Sequence, residues 1–390
     1  MRVIHVITRL IVGGAQENTI ASVLGLCKST GWELSLISGP SRGREGSLES
    51  LLDRQPANLT LLPSLVRPVH PWFDWLAWRQ LVRIFRSQKP DILHTHSGKA
   101  GFLGRLAASK AGVPIIIHTI HGPSFGPFQG PFANWLFRAA ELRAGRVTTH
   151  FVVVADAMSR QYLAAGIGRP SQYTKIASGF DLQPFLAATP DPALRAKFGL
   201  APDDVVIGKI ARLFKLKGHE DLFRAAPDLV RACPRMKFLL VGDGPWRERF
   251  EKRARDLGLA RHFVFTGLVP PSQIPGLMGI VDILVHLSLR EGLPRALPQA
   301  LAAARPVVAY DCDGANEVCL DDETGFLLQP GDIGGLVDRL ARLADSPSLR
   351  EQFGRRGRAL VREQFPVEKM IEDLRRLYLK LAIEKGVCAE

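Results

Sequence analysis

Short apolar runs bounded by turn-forming residues alternate with longer stretches of helical spacing along the whole chain. In the first half these runs predict strands at Val3–Ile7, Glu33–Ile37, Leu59–Leu62, Ile92–His94, Ile115–His118 and Phe151–Val154. Between them, apolar residues recurring every three to four positions predict helices at Ala15–Cys27, Trp72–Phe85, Lys99–Lys110 and Pro131–Ala144. The second half repeats the plan, with strands predicted at Val205–Ile210, Lys237–Val241, Phe263–Phe265, Ile283–His286, Val307–Ala309 and Gly325–Leu328. Strands joined through helices are parallel, because each return to the sheet needs a crossover. The pattern breaks between Ser178 and Asp204, where Pro184, Pro190, Pro192 and Pro202 punctuate it, and restarts at Val205. From Val367 to Ile383, Met370, Ile371, Leu374, Leu377, Tyr378 and Leu381 keep helical spacing. The expectation is two parallel α/β domains, 1–182 and 183–365, followed by a terminal helix over 366–390.

Composition changes this picture little. A chain of 390 residues exceeds what one core usually serves, and 46% hydrophobic with 23% charged residues is ordinary globular composition. No apolar run approaches the roughly 18–20 residues that span a bilayer. The start, Met1–Ile11, carries Arg2, His5 and Arg9 and reads as a first strand rather than a signal peptide. Cys27, Cys233, Cys312, Cys319 and Cys388 show no CxxC spacing, which fits a reduced, cytoplasmic compartment without a zinc site. Charge is uneven: of the net +13, residues 1–185 hold 20 Lys plus Arg against 10 Asp plus Glu, and the remainder 31 against 28. A basic first half points to an anionic membrane surface or a phosphate-bearing acceptor, with general solubility as the plain alternative.

The densest chemistry runs from Ser288 to Pro306. An apolar strand ends in a polar loop carrying Glu291, Gly292 and Leu293, and a helix is expected to open near Pro294 and Arg295. Glu291 and Gln299 are eight positions apart, about two helical turns, so both can face one cleft. A helix start suits a phosphate, and a carboxylate beside it suits sugar hydroxyls. After the strand Val205–Ile210 comes a basic loop, Ala211-Arg212-Leu213-Phe214-Lys215-Leu216-Lys217-Gly218. Val241-Gly242-Asp243-Gly244-Pro245 follows another strand, with Pro245 suited to a first helical position and Asp243 to a cap or a ligand edge. Gly13-Gly14 follow the first strand and let backbone approach a ligand, although no GK[ST] completes a Walker loop. His121 opens the loop after Ile115–His118, where α/β ligand clefts form.

These motifs, in this order, resemble the retaining family 4 glycosyltransferases, whose signature has two glutamates flanking seven residues. Glu291 matches the first, and Gln299 stands where the second would be. The resemblance covers nearly the whole chain. It implies the GT-B fold: two Rossmann-like domains with parallel sheets facing across a cleft, and a terminal helix crossing back to the first. It implies transfer of a sugar from a nucleotide-diphosphate donor, UDP-sugars favoured, to a glycan or lipid-linked acceptor, with retention and no cofactor or metal. By the same match Arg212 and Lys217 hold the diphosphate, with Lys215 a nearby rival. Glu291 and His121 meet the transferred sugar. Gly13, Gly14, Asp243, Gly292 and Leu293 line the nucleotide-sugar site, and Gln299 meets the ribose.

Other features stay open. Asp311-Cys312-Asp313 matches a metal-binding DxD, but Asp313 precedes an expected helix start and reads as its cap. His94, His96, His118 and His121 lack a carboxylate at ligand spacing, and His118 reads as a core histidine. Two aromatic clusters, Trp72-Phe73-Asp74-Trp75 with Trp78, and Phe125-Gly126-Pro127-Phe128 with Phe132 and Trp135, suit a bilayer interface or a helical core. No nucleic-acid fold pattern accompanies them. The competing functions are a nucleotide-sugar epimerase on the same fold and a non-catalytic membrane or nucleic-acid binding protein. The first would need no acceptor. The second would leave Arg212, Lys217 and Glu291 without a purpose.

Overall fold

The computed structural model describes residues 1–41, 46–53, 55, 57–126 and 128–387; Pro127 and Cys388 lie outside the described residues. The chain divides into two compact units, Met1–Phe180 with Val367–Glu390, and Asp181–Pro366.

Among the described residues the first unit holds seven strands: β1 (Arg2–Arg9), β2 (Glu33–Gly39), β3 (Asn58–Leu61), β4 (Ile92–His96), β5 (Ile115–Ile120), β6 (His150–Val153) and β7 (Tyr173–Lys175). They form one parallel sheet in the order β3-β2-β1-β4-β5-β6-β7. Strand alternation sends Val3 and Ile7 to one face and Ile4 and Val6 to the other. Val3 and Ile7 join a core with Ile20, Val23, Leu374 and Tyr378, so the helices Gly14–Leu26 and Val367–Glu384 cover that face. Ile4 and Val6 join Leu81, Phe85, Leu103 and Ala107 beneath the helices Pro71–Gln88 and Gly98–Ala111.

The second unit holds β8 (Val205–Ile210), β9 (Met236–Val241), β10 (Phe263–Gly267), β11 (Ile283–His286), β12 (Val307–Tyr310) and β13 (Gly325–Leu328). Their order is β10-β9-β8-β11-β12-β13, again parallel. Both sheets are Rossmann-like, and each reverses its winding once, between β1 and β4 and between β8 and β11. In open parallel sheets, ligands bind outside the carboxyl ends of the strands at such a reversal. Among the described residues, no helix is long and apolar enough to cross a membrane.

Candidate active site

In the second unit the reversal brings together the loops that follow β8, β11 and β12. Leu289 N donates to Leu216 O at 2.9 Å, and Gly314 N donates to Gly292 O at 3.0 Å. Gly218 makes the first junction possible. It adopts φ +65, and a Cβ there would lie 1.9 Å from the Leu287 carbonyl oxygen. Gly242 does the same on the other flank, at φ +134 with the Ala211 carbonyl oxygen 2.4 Å from a built Cβ.

On this frame Lys217 Nζ donates to Glu291 Oε1 at 2.6 Å, with side chains 25% and 18% exposed. His286 Nε2 lies 3.3 Å from the same oxygen, off a hydrogen-bonding direction. Burial alone would push the Glu291 carboxyl up, but the Lys217 ammonium outweighs it. The carboxyl is held well below the usual carboxylate range. Burial lowers the pKa of His286, so the ring stays neutral. Glu291 is therefore ionised at neutral pH: a hydrogen-bond acceptor, not an acid.

Asp313 was expected to cap a helix. Instead the following 3-10 turn, Ala315–Glu317, starts from Gly314, and Asp313 sits at φ 53. Its Oδ2 accepts from the backbone N–H of Glu291 at 2.6 Å. That charge-assisted bond fixes the loop carrying the carboxylate. The helix after this loop runs Ala296–Ala302 with Arg295 at its N-cap, opening one to two residues later than expected, and Glu291 stands, as expected, on the loop ahead of it. Pro294 and Pro298 explain the late start, since neither offers an N–H and Pro294 disfavours helical backbone before it. Gly292 and Leu293 are buried; Gln299 is half-buried, and among the described residues its amide takes no hydrogen bond.

Arg212 and Lys215 are exposed on the β8 loop, the Arg212 guanidinium 5.4 Å from the centre of the Phe214 ring. Asp243 is engaged in its own turn: Oδ1 accepts from Gly244 N at 2.7 Å and Oδ2 faces Arg247 at 3.3 Å. The helix begins at Arg247, two residues beyond Pro245. Behind the pair lies a residue that sequence reasoning passed over. Lys209, on β8, is 1% exposed, and burial together with Lys217 lowers its pKa to about 7. Its β-strand position among apolar neighbours was the available signal.

In the first unit Gly13 precedes the helix Gly14–Leu26 and its carbonyl accepts from Glu17 N at 3.0 Å. His118 is a core residue, Nδ1 2.9 Å from Thr95 Oγ1. His121 Nε2 lies 3.0 Å from His96 Nδ1, and His96 Nε2 lies 2.9 Å from His5 Nδ1. His5, His94 and His96 each bring a ligand atom within 4.8 Å of the others. Their nitrogens, however, already pair with one another, with Tyr378 and with Thr119. This is the arrangement of a hydrogen-bonded chain. Burial holds these rings neutral, lowering His121 to about 4 and His5 to about 3.

The aromatic clusters split. On Pro71–Gln88 the core face is Ala77, Leu81, Val82 and Phe85, while Trp72 and Trp75 are exposed. On Pro131–Gly145, Phe132 is 74% and Trp135 64% exposed. Both groups sit in the first turns of helices, at the end of the unit where strands finish.

Comparison with known proteins agrees with this architecture. Residues 190–360 match the glycosyl transferases group 1 model, and residues 14–179 match a glycosyl transferase 4-like domain. The chain is 25% identical to the Escherichia coli UDP-Gal:alpha-D-GlcNAc-diphosphoundecaprenol alpha-1,3-galactosyltransferase over 389 residues, 99% of this chain and 98% of that one. It is 31% identical to a GDP-mannose-dependent alpha-(1-6)-phosphatidylinositol monomannoside mannosyltransferase of Mycolicibacterium smegmatis, covering 69% of this chain and 71% of that one. Anabaena HepE, solved with UDP and glucose, superposes with a TM-score of 0.82 at 21% identity, over 97% of this chain and 100% of that one. Two Rossmann-like sheets, an ionised glutamate held by a lysine at the reversal of the second, and these matches together establish that the chain belongs to the GT-B glycosyltransferases of the group 1, family 4 type.

Proposed function

We propose that this chain is a retaining glycosyltransferase that moves a hexose or N-acetylhexosamine from a UDP-sugar to a glycan or lipid-linked acceptor in surface polysaccharide assembly. The Lys217–Glu291 pair at the β8/β11 reversal carries the proposal. When the glycosidic bond breaks, the departing diphosphate gains negative charge. Fixed cations at those oxygens stabilise the transition state more than the ground state. Lys217 and Arg212 supply that charge from one loop, without a metal. Glu291, kept ionised, accepts from sugar hydroxyls and fixes the ring. Gln299 meets the ribose through its amide, and Gly292 and Leu293 line the phosphate and sugar. Gly13, Gly14 and Asp243 contribute backbone and edge contacts to the nucleotide sugar, and His121 contacts the transferred sugar.

A lipid-linked acceptor is favoured by the exposed Trp72, Trp75, Phe132 and Trp135 in a unit with a surplus of basic residues. The E. coli galactosyltransferase is named for such a diphosphoundecaprenol acceptor. The place of action would be the cytoplasmic face of the membrane. A panel of nucleotide sugars tests the donor: slow hydrolysis of UDP-sugars in preference to GDP- or ADP-sugars is expected, undiminished by EDTA. Equal rates across bases would refute the UDP assignment. An α-linked product from an α-linked donor, read by the anomeric proton coupling, tests retention. Turnover without acceptor into a second nucleotide sugar would instead identify an epimerase.

A further inference from the structure

The first sheet places a chain of polar side chains on one face. Strand alternation puts His5 on that face of β1, His94 and His96 on that face of β4, and Thr119 in line with His121 along β5. Pairing sets His5 opposite His94 and His96 opposite Thr119. The helix Val367–Glu384 lowers Tyr378 onto the same face.

The hydrogen bonds can be followed end to end. Thr119 Oγ1 meets His94 Nε2 at 2.6 Å, and His94 Nδ1 meets Tyr378 Oη. Tyr378 Oη meets His5 Nε2 at 3.3 Å, His5 Nδ1 meets His96 Nε2 at 2.9 Å, and His96 Nδ1 meets His121 Nε2 at 3.0 Å. Each neutral imidazole has one N–H and one lone pair. Among the described residues the Tyr378 proton has only His94 and His5 to bond, so a chain in which every proton finds an acceptor runs in one of two directions. Its closed end decides which. Among the described residues, His94 Nε2 is the one hydrogen-bond partner of the Thr119 hydroxyl. An unsatisfied buried donor is costly, whereas an oxygen with a spare lone pair is not. The Thr119 proton therefore points to His94 Nε2. His94 then donates from Nδ1 to Tyr378, Tyr378 donates to His5 Nε2, His5 Nδ1 donates to His96, and His96 Nδ1 donates to His121 Nε2. His121 is left with its proton on Nδ1, an atom with no partner among the described residues.

We infer that Thr119 and Tyr378 are positioning residues that act through His94, His5 and His96 to hold His121 as the Nδ1–H tautomer, a hydrogen-bond donor toward bound ligand. The catalytic part of this inference rests on the proposed contact between His121 and the transferred sugar. The tautomer does not. A sugar oxygen near His121 would then always meet a proton rather than a lone pair, the difference that a wrong tautomer abolishes in other histidine-dependent sites.

The test is long-range 1H–15N correlation of the full chain labelled at histidine, at pH 7.5, with slow hydrolysis of UDP-galactose and UDP-glucose measured in parallel. In the unsubstituted protein, His121 Nδ1 is expected in the protonated range and Nε2 in the lone-pair range. The reverse assignment overturns the inference. Thr119→Val and Tyr378→Phe should each turn this into a tautomeric mixture and lower kcat/KM about 10-fold. Thr119→Ser, which keeps the hydroxyl, should restore both. Variants that fold, by thermal unfolding, yet keep a single Nδ1–H tautomer at His121 also overturn it. A changed tautomer with unchanged hydrolysis leaves the relay standing and refutes the assigned role of His121 in transfer.

Discussion

Replacing Lys217 with methionine removes the ammonium that bonds Glu291 at 2.6 Å and leaves the carboxylate, 18% exposed, against neutral His286. Two opposite charges about 4 Å apart attract by about 4 kcal/mol at an effective dielectric near 20. Solvent reaches both side chains, which discounts this, and breaking a partly buried pair should cost about 2 kcal/mol. For a unit of this size that is roughly 4–8 °C in Tm. The pH dependence carries the sharper test. With Lys217 present the folded carboxyl lies below its unfolded value of about 4.3, so its stabilisation is full above that value and fades as pH falls. Without Lys217, burial dominates and raises the folded value above the unfolded one. The ionised carboxylate then costs stability at neutral pH, and acidification relieves that cost. Differential scanning calorimetry should show the widest gap in Tm near pH 7, narrowing toward pH 4. Turnover with the preferred UDP-sugar should fall by about 10²–10³, the scale for one preorganised charge donor. A constant Tm gap across this range, with turnover within twofold, would refute the claim that Lys217 keeps Glu291 ionised.

Arg212→Ala should lower turnover by roughly 10²–10³ with the fold intact, and near-normal turnover would remove Arg212 from the site. Lys209, lowered to about 7 from an ordinary 10.5, makes the folded state bind fewer protons than the unfolded one between those values. Stability should therefore rise with pH from about 7 to 10 in denaturant titrations, and Lys209→Met should flatten that rise without lowering stability at pH 7. Asp313→Asn weakens the anchor on the Glu291 N–H, so affinity for UDP, read by calorimetry, should fall severalfold while the Tm moves little. Trp72→Ala combined with Trp135→Ala should reduce co-sedimentation with anionic vesicles, and unchanged sedimentation would separate these aromatics from any membrane.

Twelve of the thirteen strands among the described residues could be located in the sequence because parallel strands, covered on both faces, read as near-continuous apolar runs. The exception, Tyr173-Thr174-Lys175, is a three-residue edge strand with polar side chains, and nothing in its composition separates it from a loop. Topology made the loops of Lys217 and Glu291 legible. Each loop follows a strand, and the two strands flank the winding reversal, so naming the strands nearly places the loops. The choice of Lys217 over Lys215 came from the family resemblance. Asp313 was not legible, because its role depends on a left-handed backbone at a non-glycine residue, which sequence does not announce.

The histidine chain shows where such reading stops. The parity of each histidine along its own strand was available from spacing alone, but parity is only half the requirement. Register decides that His5 faces His94 rather than an isoleucine two positions away, and register is a property of the paired strands. The link through Tyr378 spans 284 residues to His94 and 373 to His5. No sequence window holds these partners together. They meet because one sheet face must be covered, and of the two helices that cover it the terminal one, Val367–Glu384, carries a single hydroxyl among its apolar residues. A burial requirement thus sets a polar contact, and the polar contact sets which atom of His121 bears a proton.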